Sequence, residues 1–225
     1  FAGRGAVVTL DWTIPFVLST PWAIRALELL FALSAGIQTL EYWRMQAAMQ
    51  GKGLWVWSIQ GQDIPTAWVR EVLDKLFTPS MFRVLLLSRL LALVSLLVQG
   101  GNLLNIGFLF VSNLAVLIRW RGAFNGGSDF MSLVVITGLL IAQVASCFTE
   151  TEMAWRAGFW YITIQSMTSY FMSGSVKLLQ TEWRNGRAMT IFLNAAIHGP
   201  LPSGHWLRKP WLASLGSWAF IVWEC

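Results

Sequence analysis

Lys177 closes a long apolar run, and Glu182, Trp183 and Arg184 follow it in the stretch GSVKLLQTEWRNGRAM, residues 174–189. An amine at the edge of a bilayer can anchor a helix by reaching out to the head groups. It can instead pair with a carboxylate, here Glu182 or Asp129, or act, when uncharged, as a general base. The residues alone leave these uses open. Other polar groups stand where apolar ones are expected. Arg25 and Glu28 are three residues apart, so on a helix they face one side and can pair. Gln38 and Glu41 end one apolar run, and Arg83 and Arg89 open the next. Arg89 lies about two turns into its run, so it either reaches back to the surface or meets a partner inside. A charge left unpaired at membrane depth costs about 2.5–3.5 kcal/mol on insertion scales. Asn102, Asn105 and Asn113, and further on Gln165, Ser166, Thr168, Ser169, Ser173 and Ser175, offer hydrogen bonds between helices. Asp129 ends the turn NGGSD and is expected to cap the helix that follows.

These groups need elements to hold them. The chain has 225 residues, of which 56% are hydrophobic and 12% charged, and 14 are Trp and 14 Phe. A soluble domain with a polar shell is hard to build from that composition. Many of the aromatic rings flank apolar runs, where the lipid–water interface favours them. Crossing roughly 30 Å of hydrocarbon takes about 20 helical residues, and runs of about that length occur at 22–41, 82–99, 103–120, 130–148 and 156–179, with a sixth beginning near 211. In lipid every backbone amide must be satisfied within its own segment, so these runs are expected to be helices. The fold class is therefore all-α, a polytopic transmembrane bundle of about six spanning helices in one domain over 1–225, read as a fragment of a longer protein. Short interfacial amphipathic helices complete it. The first lies between QGQDIP and FTPS, where TAWVREVLDKLF puts Trp68, Val69, Val72, Leu73, Leu76 and Phe77 on one side and Arg70, Glu71, Asp74 and Lys75 on the other. A second is expected at 185–197.

The formal charge is +5, but the basic residues sit singly in short loops and form no stripe, which argues against nucleic acid and for lipid head groups. With alternating spans, Arg44, Lys52, Arg70, Lys75, Arg119, Arg121, Arg184, Arg187, Arg208 and Lys209 share one side, opposite Arg4 and Arg156. Loops 42–81, 119–129 and 180–210 are then cytoplasmic, in a bacterial inner or intracytoplasmic membrane. The two cysteines, Cys147 and Cys225, fall at non-cytoplasmic helix ends on this topology, where a bridge is possible. His198 and His205 lie in a Pro/Gly-rich loop without metal-ligand spacing, so no metal site is expected.

The stretch YFMSGSVKLLQTEWRNGRAM, 170–189, resembles the HTTM family, the membrane domain shared with vitamin K-dependent gamma-glutamyl carboxylase. The stretch RWRGAFNGGSDFMSLVV, 119–135, is similar to that family's asparagine/glycine-rich turn ahead of a membrane helix. The resemblance implies a membrane bundle and, in its enzymatic members, a lysine acting as base on a lipid-soluble quinol. Carried over, it points to Lys177 as base, with Asn105, Asp129, Trp183 and Arg184 around a pocket for a quinone or another lipid-soluble ligand. The animal carboxylases have two adjacent lysines here, whereas this chain has Lys177 followed by Leu178. That departure favours a structural or accessory subunit packed in the bilayer against other membrane subunits. A carboxylase-like enzyme is the alternative.

Overall fold

The computed structural model describes residues 20–49, 55–121, 126–195, 202, 204–206 and 209–225. Arg4, Lys52, Asn125, His198 and Arg208, and the whole of the QGKG turn, lie outside them. Every regular element among the described residues is helical: α1 (Thr20–Arg44), α2 (Trp57–Gln60), α3 (Ala67–Leu76), α4 (Pro79–Gln99), α5 (Leu103–Trp120), α6 (Gly126–Ala145), α7 (Thr151–Leu179), α8 (Thr181–Arg184), α9 (Arg187–Leu193) and α10 (Pro210–Glu224), with short 3-10 turns at Met45–Met49 and Gly61–Asp63. The chain forms two compact units, Phe1–Arg156 and Ala157–Cys225.

In the first unit α1 packs on α4 and α6, and α5 packs on the same two helices, closing a ring of four. Both sides of these helices are apolar. Along α4 the residues Phe82, Leu86, Arg89, Leu93 and Leu96 turn inward, while Val84, Leu87, Leu91, Val94 and Val98 are exposed. Each series advances by three or four residues, the period of one helix face. Along α1 the outward stripe is Leu30, Leu33, Ile37 and Leu40, and the buried one includes Glu28, Gln38, Thr39 and Tyr42. Polar groups inside and large aliphatic groups outside invert the soluble pattern and suit a hydrocarbon solvent. Four helices among the described residues are long and apolar enough to cross a membrane, at Pro21–Ala47, Pro79–Gln99, Leu103–Trp120 and Gly127–Ala145. They coincide with the first four expected spans. The fifth expected span lies in α7, a 29-residue helix that is not among these four, because its run of Ser, Thr and Gln lowers its hydropathy. The sixth corresponds to α10, whose 15 residues extend about 22 Å.

One end of the ring is fastened by charge. α4 runs into α5 through Gly100, Gly101 and Asn102, with Gly100 at φ +81° and Asn102 accepting from the Asn105 amide at 2.9 Å as N-cap. Arg25 donates to the carbonyls of Leu96, at 2.8 Å, and Leu97 at the end of α4, where the last carbonyls of a helix run short of amide partners; the Leu96 carbonyl also accepts from the Gly100 amide at 3.2 Å. Glu28 pairs with Arg25 at 3.2 Å and accepts from the Gly101 amide at 2.9 Å. A Cβ on Gly101 would stand 2.8 Å from Glu28 Oε1, so glycine is what lets the turn approach the carboxylate. Gln143 of α6 donates to the Gly101 carbonyl at 3.0 Å. The expected Arg25–Glu28 pair thus exists, and its task is to hold the α4–α5 turn.

The opposite end is aromatic. Tyr42 stacks on Trp120 at 5.5 Å, Trp57 meets Phe77 edge-on at 4.5 Å, and Phe77 meets Phe82. The amphipathic α3 divides its apolar side. Leu73 and the adjoining Phe77 enter this cluster, whereas Trp68 and Val72 stay exposed. The second expected amphipathic helix is the shorter α9, which buries Met189 and exposes Ile191 and Phe192.

Glu28→Ala strips the counter-charge from Arg25 and the acceptor from the Gly101 amide. A loss of about 1–3 kcal/mol is expected, read as a lowered Tm in detergent micelles by tryptophan fluorescence.

Candidate functional site

α1, α4 and α5 meet at Arg89, which is wholly buried. Its guanidinium donates from Nε to Thr39 Oγ1 at 3.0 Å and from one terminal nitrogen to Ser112 Oγ at 3.1 Å. The other terminal nitrogen donates to Gln38 Oε1 at 2.9 Å and to Asn113 Oδ1 at 2.8 Å. The hydroxyls are oriented to accept, because Thr39 donates its own O–H to the Ala35 carbonyl and Ser112 to the Leu109 carbonyl. Four neutral oxygens therefore surround one cation, two from α1 and two from α5.

The matching negative charge is one side chain further on. Gln38 Nε2 donates to one oxygen of Asp129 at 2.6 Å, and the Tyr42 hydroxyl donates to the other at 2.6 Å. The Gln38 amide accordingly bridges arginine and aspartate, its oxygen facing the cation and its nitrogen the anion. Gln38 and Tyr42 are four residues apart on α1 and share a face. Asp129 sits in the first turn of α6 and is almost fully buried. It does not cap that helix as expected. α6 begins at Gly126, so the carboxylate stands inside the first turn and faces α1. Beside this network a cavity of about 260 Å³ is lined by Ser34, Ile37, Gln38, Glu41, Ser128 and Ser132.

Asn105 belongs to the other end of the ring, where its side chain donates to the Ala92 carbonyl at 3.1 Å. Its position at the start of α5 makes it a helix-packing residue and separates it from Asp129 within the unit.

In the second unit Lys177 forms an ion pair with Glu224, both side chains being mostly buried. The ammonium lies 5.1 Å from the Trp183 ring centre and 5.9 Å from that of Phe220. The expected proximity of Lys177 and Trp183 is present, but the carboxylate is Glu224, and Glu182 is exposed. Gly174, one turn before Lys177, explains the approach. A Cβ there would stand 2.8 Å from Cys225 Sγ and 2.9 Å from the Glu224 carbonyl carbon, so glycine lets the end of α10 touch α7. Arg184 is exposed, 3.4 Å from Thr181 Oγ1, and its carbonyl accepts from Trp218 Nε1 at 3.1 Å. A cavity of about 680 Å³ in this unit has Tyr170, Phe171, Trp223 and Glu224 among its walls. Cys147 and Cys225 are free thiols.

Sequence reasoning singled out Arg89, Gln38 and Asn113 and missed Thr39, Tyr42 and Ser112 as their partners. Their spacing was the available signal, since 38, 39 and 42 fall on one face of α1. Glu224 was missed because its pairing spans 47 residues.

Comparison with protein-family models, with curated proteins and with solved structures finds no match for the chain.

Arg89→Ala leaves Asp129 buried without its cation, and removal of one member of a buried pair costs about 3–5 kcal/mol. Tyr42→Phe removes a single hydrogen bond to the carboxylate and is expected to cost about 1.5–3 kcal/mol. Denaturant unfolding in a fixed micelle, compared across wild type and both variants, checks the order.

Proposed function

We propose that the chain is an HTTM-like integral membrane protein that serves as a structural or accessory subunit of a larger membrane assembly, with its basic loops on the cytoplasmic face. The observation that carries this reading is the pairing of Lys177 with Glu224. A general base must be free to receive a proton, and this ammonium is already committed to a carboxylate and to the faces of two aromatic rings. Asp129, the acidic group that the resemblance brings forward, is likewise committed to Gln38 and Tyr42. Both sets of bonds join helices, which is what a structural role requires.

One observation supports the alternative, a vitamin K-dependent carboxylase-like enzyme acting with a lipid-soluble quinol. The cavity of about 680 Å³ has aromatic walls and reaches Glu224, the partner of Lys177. A quinone ring suits such walls, and displacement of Glu224 would release the amine.

Lys177→Met separates the two. On the accessory reading, protein extracted from its native membrane in mild detergent sediments as a complex larger than the single chain. Quinol consumption then stays at background in wild type and variant alike. Consumption by wild type that Lys177→Met abolishes, or sedimentation as the chain alone, contradicts the reading.

A further inference from the structure

Arg119, near the end of α5, is wholly buried, yet none of the ion pairs among the described residues includes it. Its terminal nitrogens donate to neutral acceptors, Gln60 Oε1 at 2.8 Å and the Trp55 carbonyl at 2.7 Å. The guanidinium carbon lies 5.2 Å from the Trp120 ring centre and 5.9 Å from that of Trp57. Nε has no hydrogen-bond partner. The neighbouring Arg121, by contrast, is paired with Asp63 at 2.7 Å. Arginine keeps its charge in proteins, and a buried charge without a counter-ion costs several kcal/mol. Among the described residues this cation has no anion beside it, so an anionic ligand would gain from its charge.

Arg119 lines a cavity of about 250 Å³ together with Trp57, Ser58, Asp74 and Phe77. The Asp74 carboxylate accepts from Trp57 Nε1 through one oxygen at 2.6 Å, and none of the ion pairs among the described residues includes it. A simple anion drawn to Arg119 would be repelled by Asp74. A zwitterion with a phosphate at one end and an ammonium at the other satisfies both. The cavity also has a place in the bilayer. α4 starts here at Pro79, α5 ends here at Trp120, and Trp55, Trp57 and Trp120 gather as rings do at a membrane interface. The exposed Trp68 and Val72 of α3 offer acyl chains an apolar surface alongside.

We infer that this cavity binds the phosphoethanolamine head group of a membrane phospholipid, phosphate on the Arg119 wall beside the Ser58 hydroxyl, ammonium toward Asp74. Phosphatidylcholine carries the same charges but no N–H donors for the carboxylate, and phosphatidylglycerol has no cation. Retention of the ethanolamine lipid about tenfold above either is expected from one charge-assisted hydrogen bond.

The test uses the full chain, purified in detergent, stripped of lipid and offered phosphatidylethanolamine, phosphatidylcholine, phosphatidylglycerol or soluble phosphoethanolamine. Retained lipid is counted by native mass spectrometry, and Tm is followed by tryptophan fluorescence. Wild type is expected to retain the ethanolamine lipid and to gain Tm with it. Asp74→Asn is expected to lose the ethanolamine preference and gain affinity for phosphatidylglycerol, and Arg119→Gln to lose all three lipids. If Arg119→Gln does not fold, the wild-type and Asp74→Asn arms decide. Equal retention of the three lipids by wild type, or an unchanged preference in Asp74→Asn, overturns the inference. Soluble phosphoethanolamine that shifts Tm as far as the lipid overturns the assignment to a lipid.

Discussion

The first unit depends on a cation that cannot leave. Arg89 lies in the middle of an apolar helix with no exposed surface, and in such surroundings a polar group is stable only when its hydrogen bonds are made inside the protein. α1 and α5 supply the oxygens, and α6 supplies the balancing charge through the Gln38 amide. An association of apolar helices in lipid has little hydrophobic drive of its own. Directional bonds from one guanidinium therefore give the ring a register that packing alone would leave loose. α1, α4 and α5 present polar atoms to one point and α6 joins them through Gln38 and Tyr42, so sliding any of the four by a turn would orphan a donor or an acceptor.

The two ends of the ring are finished differently, and the difference follows from the sequence. At the α4–α5 turn two glycines bring backbone carbonyls and amides within reach of Arg25 and Glu28, so charge satisfies the groups that the helix ends expose. At the other end the chain returns through α2 and α3, and tryptophan and phenylalanine fill the space. Arg119 sits among those rings and belongs to none of the ion pairs among the described residues, and the carboxylate of Asp74 shares its cavity without pairing with it. The second unit uses the same devices on a smaller scale. Gly174 allows close approach, and Lys177 and Glu224 fasten α7 to α10.

Much of the fold was legible in the residues. The runs at 22–41, 82–99, 103–120 and 130–148 became the four apolar helices, because length and composition decide what a hydrocarbon layer accepts. The depth of Arg89 left two uses open, a reach back to the surface or a partner inside, and only the helix arrangement decides for the second; the spacing of Arg25 and Glu28 pointed to their pairing. The role of Asp129 was misread because a carboxylate beside NGGS looks like a cap. Only the arrangement of helices reveals that its neighbours are Gln38 and Tyr42. Glu224 escaped for the same reason, since distance along the chain says nothing of which helix ends meet. The polar content of 156–179 also showed in the sequence, and it is what sets α7 apart from the four apolar helices.

The claim that one amide-bridged charge pair sets the register of the ring is tested most directly by a double-mutant cycle between Arg89→Met and Asp129→Asn, read from unfolding free energies in one micelle. The pair shares a network through Gln38, so the double variant should be less destabilised than the sum of the single ones by about 0.5–3 kcal/mol. Additive losses would mean that arginine and aspartate act independently, and the account of the ring would be wrong.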